Sequence, residues 1–458
     1  MEPNSQLDVL LDQSGISRAG LATRVNRLGA DHDVTLRYDH TAVARWLKGQ
    51  RPRGRVPELI CEILGARLER TLTLADIGMA GPPGAPPPAF PALSGGAGDG
   101  DERATLGRFV ERAAVSWRSD QLHADSPGPA MLTGAAAVAP VWEWENPPDD
   151  LDVSHQGKRE VSEVDVALLH AARGHYEHLY RNAGGVATRP RVVGFLTAEV
   201  TPLLRGGYDD GTGRELCRAA GALAAVSGIC AYDTDEQGLA QRYFHQALRL
   251  GKASGDRLFG GYVVSLLVNQ ALYLGDNRRA IACAEAVLRT PGPHSTPALA
   301  TDLYAMQAKA YARIGDRRSA HSCMRSAETC SACIRPEEEP EETGYVQPGL
   351  VQVRLAEALL VLGELDPARR YAEEAARAPA HVRGRVNRLA TLTGVELRTG
   401  SPESAAETAV RMADQAQGIE SQLLRKRMRQ VREQLLRHPG SPVAQAAELI
   451  EETLRVPL

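Results

Sequence analysis

Aromatic residues make up only 5% of this chain, five of them phenylalanine. There is no apolar run of the roughly 18 residues that a membrane span requires. The abundance of small residues suits closely packed helices better than a β-sandwich. Residues 1–11 are polar and acidic, unlike a secretory leader, which is basic and then apolar. The seven cysteines are odd in number and not spaced as a disulfide framework, so a reduced, cytoplasmic setting is expected. The net charge of −4 is small, so the chain as a whole is not a polycation built to coat nucleic acid.

Catalytic signatures are also missing. There is no Gly-x-x-x-x-Gly-Lys-Ser/Thr, no His-Glu-x-x-His and no Gly-x-Ser-x-Gly, and Gly211-Thr-Gly-Arg214 lacks the dinucleotide-binding spacing. His175 and His178 are helical neighbours, but His170 points away from them. Cys330-x-x-Cys333 lies near Cys323 and His321, without a second Cys-x-x-Cys to complete a zinc site. The acidic insert Glu337–Glu342 reads as a solvated loop. No catalytic residue, metal site or cofactor is expected, and the protein is read as a non-enzyme.

What is present divides along the chain. Residues 1–80 read as a compact helical domain, and the Pro/Gly-rich stretch 81–102 as a flexible linker. Residues 103–214 read as a helical connecting region, with Leu106, Phe109, Val110, Ala113 and Ala114 on one side of its first helix. Within it, 126–157 reads as irregular, with Trp142 and Trp144 stapling a loop to a core. Residues 215–458 read as helical repeats.

The repeats announce themselves through four glycines: Gly275, Gly315, Gly363 and Gly400, spaced 37 to 48 residues apart. Each is followed by a residue suited to a helix start: Asp276, Asp316, Glu364 or Ser401. Five residues after each marker stands an alanine: Ala280, Ala320, Ala368 and Ala405. Nine after stand Ala284, Met324, Ala372 and Ala409; twelve after stand Val287, Ala327, Ala375 and Met412. A fainter unit carries Ala240, Phe244 and Ala247, with Asp235 at the marker position. Glycine suits a tight turn between two helices, and small residues let the second helix lie close to the first. One such pair cannot bury its apolar face alone, so pairs stack. The Gly…Ala…Ala offsets resemble the tetratricopeptide-repeat (TPR) family, although the Trp-Leu-Gly-Tyr part of its first helix is mostly absent. Asn269 and Lys309 each stand six residues before their marker and resemble residues with which tetratricopeptide grooves clasp a peptide.

In the N-terminal domain, Ser17–Asn26 and His40–Gly49 read as two amphipathic helices, the second holding Val43, Trp46 and Leu47 inward. A basic turn, Gln50–Arg55, follows; then come a helix from Pro57 to Leu68 and a closing segment from Leu74 to Met79. Between residues 16 and 55 there are nine basic side chains against three acids, a natural complement to phosphates. If the second helix meets DNA, Thr41, Ala42, Arg45 and Lys48 face the groove, while Arg51 and Arg53 contact phosphates. The order of helices resembles the repressor-like helix-turn-helix domains, in which the second helix of the pair enters the major groove. The connection from Asn26 to His40 is much longer than their turn of about three or four residues.

Leu36-Arg-Tyr-Asp-His40, Arg45-Trp-Leu-Lys-Gly49 and Gly238-Leu-Ala-Gln-Arg-Tyr-Phe244 together resemble actinobacterial, Streptomyces-type regulators that fuse such a domain to tetratricopeptide repeats. That resemblance implies regulation of sporulation and antibiotic production. The expected fold is all-α: a small helix-turn-helix-like domain, a linker and a TPR-like α-solenoid. The expected function is DNA binding by the first domain, controlled by a protein, peptide or second copy held by the repeats. The alternative is a scaffold whose first domain docks another regulatory protein and touches no DNA.

Overall fold

The computed structural model describes residues 4–31, 36, 38–50, 52, 56–68, 72, 74, 76–79, 106–122, 128–147, 150–289 and 295–455. The expected linker, 81–102, lies outside them. Among the described residues the fold is all-helical, with only two isolated β-bridges, His155–Tyr208 and Glu160–Gly207. No helix among them is long and apolar enough to cross a membrane. The chain divides into two compact units, Met1–Ala89 and Phe90–Leu458.

The first unit contains α1 (Ser5–Ser14), α2 (Arg18–Asp31), α3 (His40–Leu47) and α4 (Val56–Leu68). Helix α1 starts where the Asn4 side chain accepts from the Leu7 N–H, and it ends at Gly15, whose φ of 65° no β-carbon obstructs. Leu7, Leu10 and Leu11 share one helical face and are buried with Leu21, Val25, Val43, Trp46, Ile60 and Leu64. Gly49, with a φ of 94°, turns the chain out of α3. In the closing segment Asp76–Gly78 form a turn, and Ile77 and Met79 complete the core.

The second unit opens with α5 (Leu106–Leu122) and α6 (Ala135–Glu145). Where an irregular stretch was expected, α6 is a helix with Trp144 buried and Trp142 exposed, so one tryptophan rather than two fastens this region. A stack of helix pairs follows: α7 (Glu163–Ala183) with α8 (Gly185–Phe195), then, after α9 (Thr201–Leu204), α10 (Asp210–Asp233) with α11 (Gln237–Ser254). Next come α12 (Arg257–Tyr273) with α13 (Asn277–Arg289), and α14 (Pro297–Arg313) with α15 (Arg317–Ser331). The last three pairs are α16 (Leu350–Leu362) with α17 (Leu365–Arg377), α18 (Val382–Arg398) with α19 (Pro402–Ala416), and α20 (Gln422–Leu435) with α21 (Ser441–Arg455). Stacking thus begins at Glu163, ahead of the repeat boundary read from the sequence.

The marker glycines turn the chain within these pairs, with φ of 78°, 83°, 79° and 77° at Gly275, Gly315, Gly363 and Gly400. Asp235 takes the same conformation, φ 67°, and is the one non-glycine residue with positive φ among those described. Each residue at offsets five, nine and twelve is buried. In α17 the pattern is plain: Ala368, Ala372 and Ala375 form the inward stripe, and charged neighbours such as Arg369, Arg370, Glu373 and Glu374 leave it for the other face.

Candidate nucleic-acid interface and partner groove

Helix α3 carries the nucleic-acid candidates. Its N-terminus is capped by Asp39, whose Oδ1 accepts from the Thr41 and Ala42 N–H groups at 3.1 and 3.0 Å. The Thr41 hydroxyl donates to the same oxygen at 2.6 Å. These bonds, the Thr41 side chain's first, hold the Asp39 carboxyl below its usual range. Thr41, Arg45 and Lys48 recur at helical spacing and are exposed. No ion pair joins Arg45 or Lys48 to a carboxylate among the described residues. Ala42 belongs elsewhere: it is only 2% exposed and packs in the core with Val43 and Trp46, so it is removed from the groove-facing set. Arg51 and Arg53 lie outside the described residues. Arg18, Arg24 and Arg27 of α2 are also exposed.

The long connection before α3 is held at its far end. The Asn26 side chain bonds both backbone groups of Tyr38, and the Tyr38 ring meets the Trp46 ring edge-on at 5.1 Å between centroids.

The partner groove differs from expectation. Asn269 and Lys309 do lie on the first helices of their pairs; Asn269 is half-buried, and Lys309 is engaged by its own chain. The Lys309 ammonium donates to Glu357 at 2.6 Å. Glu357 stands six residues before Gly363, the same register as Asn269 and Lys309, so neighbouring repeats pair through equivalent positions. Arg427 of α20 meets the other Glu357 oxygen at 3.4 Å and donates to Thr391 at 3.1 Å. Burial alone would push the Glu357 carboxyl up, but the charges of Lys309 and Arg427 outweigh it and hold the group at about 2.

The acidic insert is a solvated loop only in part. Its first 3₁₀ turn, Pro336–Glu338, is exposed, whereas its second, Glu341–Thr343, reaches back to the earlier pairs. Glu342 is buried against Arg218 of α10 at 2.7 Å, and Glu341 meets Arg173 of α7 at 2.7 Å. Tyr345 donates to Asp302, which also binds Arg354 at 2.6 Å.

Cys283 is buried, and Cys323, its equivalent on α15, is partly so; burial pushes both thiols up to about 11. Cys330 is helical, whereas Cys333 lies just past the end of α15.

A family model described as the SP15 N-terminal domain matches residues 7–80, which takes in α1 to α4 and the closing turn. No curated protein matches the chain.

Proposed function

We propose that the protein regulates transcription, binding DNA through α3 of the first unit under control of a protein, peptide or second copy engaged by the helical stack. One observation carries this reading. Arg45 and Lys48 stand exposed at the C-terminal end of α3, unpaired among the described residues, and Arg18, Arg24 and Arg27 of α2 are exposed as well. Exposed, unpaired cations are the groups that displace counterions from DNA. Thr41, Arg45 and Lys48 would face the groove, where Thr41 and Arg45 can read base edges. The expected sporulation and antibiotic-production role remains part of this proposal and rests on the resemblance drawn from the sequence alone.

The test is equilibrium binding of the full chain to genomic and random duplexes across a salt series. The expected slope of log K against log salt is about −0.9 per phosphate contacted. Arg45→Ala with Lys48→Ala should flatten that slope and abolish any specific footprint. Salt-independent binding, or none, would leave the adaptor reading, in which the first unit docks a protein.

A further inference from the structure

We propose that the last four helices, α18 to α21, form a clasp that closes the helical stack onto its first pair and opens reversibly while the rest of the stack stays folded. The inner polar face that holds Lys309 and Glu357 then becomes accessible through this opening. The inference concerns the second unit alone and stands whether or not α3 binds DNA.

Two kinds of contact hold the second unit together, and they are segregated. Stacking is apolar and runs from neighbour to neighbour. The buried apolar residues of α10 to α13 cluster with those of α5 to α8, whereas those of α19 to α21 cluster with α18. No buried apolar residue of α20 or α21 belongs to the cluster containing the first pairs.

Where the two ends meet, the joint is polar. The Ala183 carbonyl accepts from the Glu420 N–H at 2.8 Å, and the Glu420 carbonyl from the Val186 N–H at 3.2 Å. Asp233, fully buried, accepts from the Ser421 hydroxyl at 2.6 Å and the Gly185 N–H at 2.7 Å, and it pairs with Arg383. The Arg383 guanidinium also lies 4.8 Å from the centre of the Tyr180 ring. Lys426 pairs with Asp235, which accepts from the Tyr273 hydroxyl at 2.8 Å. Arg427 completes the set on Glu357.

This segregation makes the joint separable. Parting two packed apolar faces exposes oily surface to water, and the cost scales with area. Parting ion pairs and hydrogen bonds exchanges them for hydration, so the net difference is small even though the closed geometry is well specified. The helices that leave, α18 to α21, share one apolar core and so move as a unit. Local opening of such a unit is the low-free-energy end of a protein's native motions.

Gly184 supplies a wedge for testing this. A β-carbon there would stand 2.3 Å from the Glu420 carbonyl oxygen, squarely in the joint. Native-state hydrogen exchange on the full chain should show the amides of 181–189 and 420–427 exchanging faster in Gly184→Val than in the parent. Those of α12 to α15 should be unchanged. The milder Ser421→Ala, Lys426→Ala double variant removes two polar links without a clash. It should accelerate the same amides by roughly tenfold to a hundredfold, as expected for losing two net hydrogen-bonded links. Acceleration in both segments together, with the central pairs still protected, supports the clasp. Unchanged exchange in the folded double variant overturns it, as does a parent in which the joint and the central pairs open only together.

Discussion

Asn26 and Tyr38, twelve positions apart, are joined by two hydrogen bonds of 2.8 Å, amide to carbonyl and N–H to amide oxygen. One side chain thereby satisfies both backbone groups of a loop residue, as a strand partner would. This fixes where α3 begins, because Asp39 caps the helix directly after Tyr38. Asn26→Ala leaves both groups without that partner. A loss of about 1–3 kcal/mol is expected in the local stability of α2 and α3, read from hydrogen exchange of the full chain. An unchanged exchange pattern would show that Tyr38 is held mainly by its contact with Trp46.

Ala42 and Arg45 are neighbours on a short helix with opposite duties, and substitution separates them. Arg45→Ala should leave folding within about 0.5 kcal/mol of the parent, as for most exposed positions. Any loss of DNA affinity would then belong to the contact itself. Ala42→Glu places a charge in the core beside Val43 and Trp46 and should unfold the first unit. Circular dichroism and exchange in α1 to α4 distinguish the two.

The marker glycines give a cleaner energetic test. A β-carbon at Gly315 or Gly363 would meet nothing within 4 Å, so the cost of Gly→Ala there is conformational and not steric. Each substitution should cost about 1–2 kcal/mol, the penalty for a left-handed non-glycine residue. Asparagine, which tolerates that conformation, should recover part of it. Urea unfolding of the two variants checks the size and its equality at both turns.

Glu357 sets an acid limit. Its folded value, about 2, lies below the ordinary 4.5, so its pairing contributes fully above 4.5 and is lost as pH falls through about 2. The groups facing it are Lys309, Arg427, Arg354 and Thr391. Glu357→Gln should be less stable than the parent at neutral pH, with the difference shrinking between pH 4.5 and about 2. Urea midpoints measured across that range test the sign; a difference that widens towards acid would contradict it.

The stack was legible because its signal is local. Turn glycines and small residues at fixed offsets are demanded by each pair separately; every offset residue is buried, and the glycines sit at the exposed turns. Helix α1 carried a signal too, in Leu7, Leu10 and Leu11, overshadowed by its polar neighbours. Ala42 was misassigned because a face was chosen for its charged members, and alanine itself fits either side. Asn269 and Lys309 were placed on the right helices, yet the groups that engage Lys309 were invisible. Glu357 and Arg427 come from other pairs, and the last arrives only when the stack returns on itself. Glu337–Glu342 looked solvated for the same reason: Arg218 and Arg173, which neutralise Glu342 and Glu341, lie more than a hundred residues earlier.

A solenoid with free ends can gain or lose a repeat and merely become longer or shorter. This one cannot, because Ser421 reaches Asp233 only after a particular accumulated rotation. Insert or delete one unit and the final helices emerge at another azimuth, facing solvent instead of Gly184 and Asp235. Length variation should therefore be confined to exposed turns, and the copy number of pairs should be as constrained as any core residue.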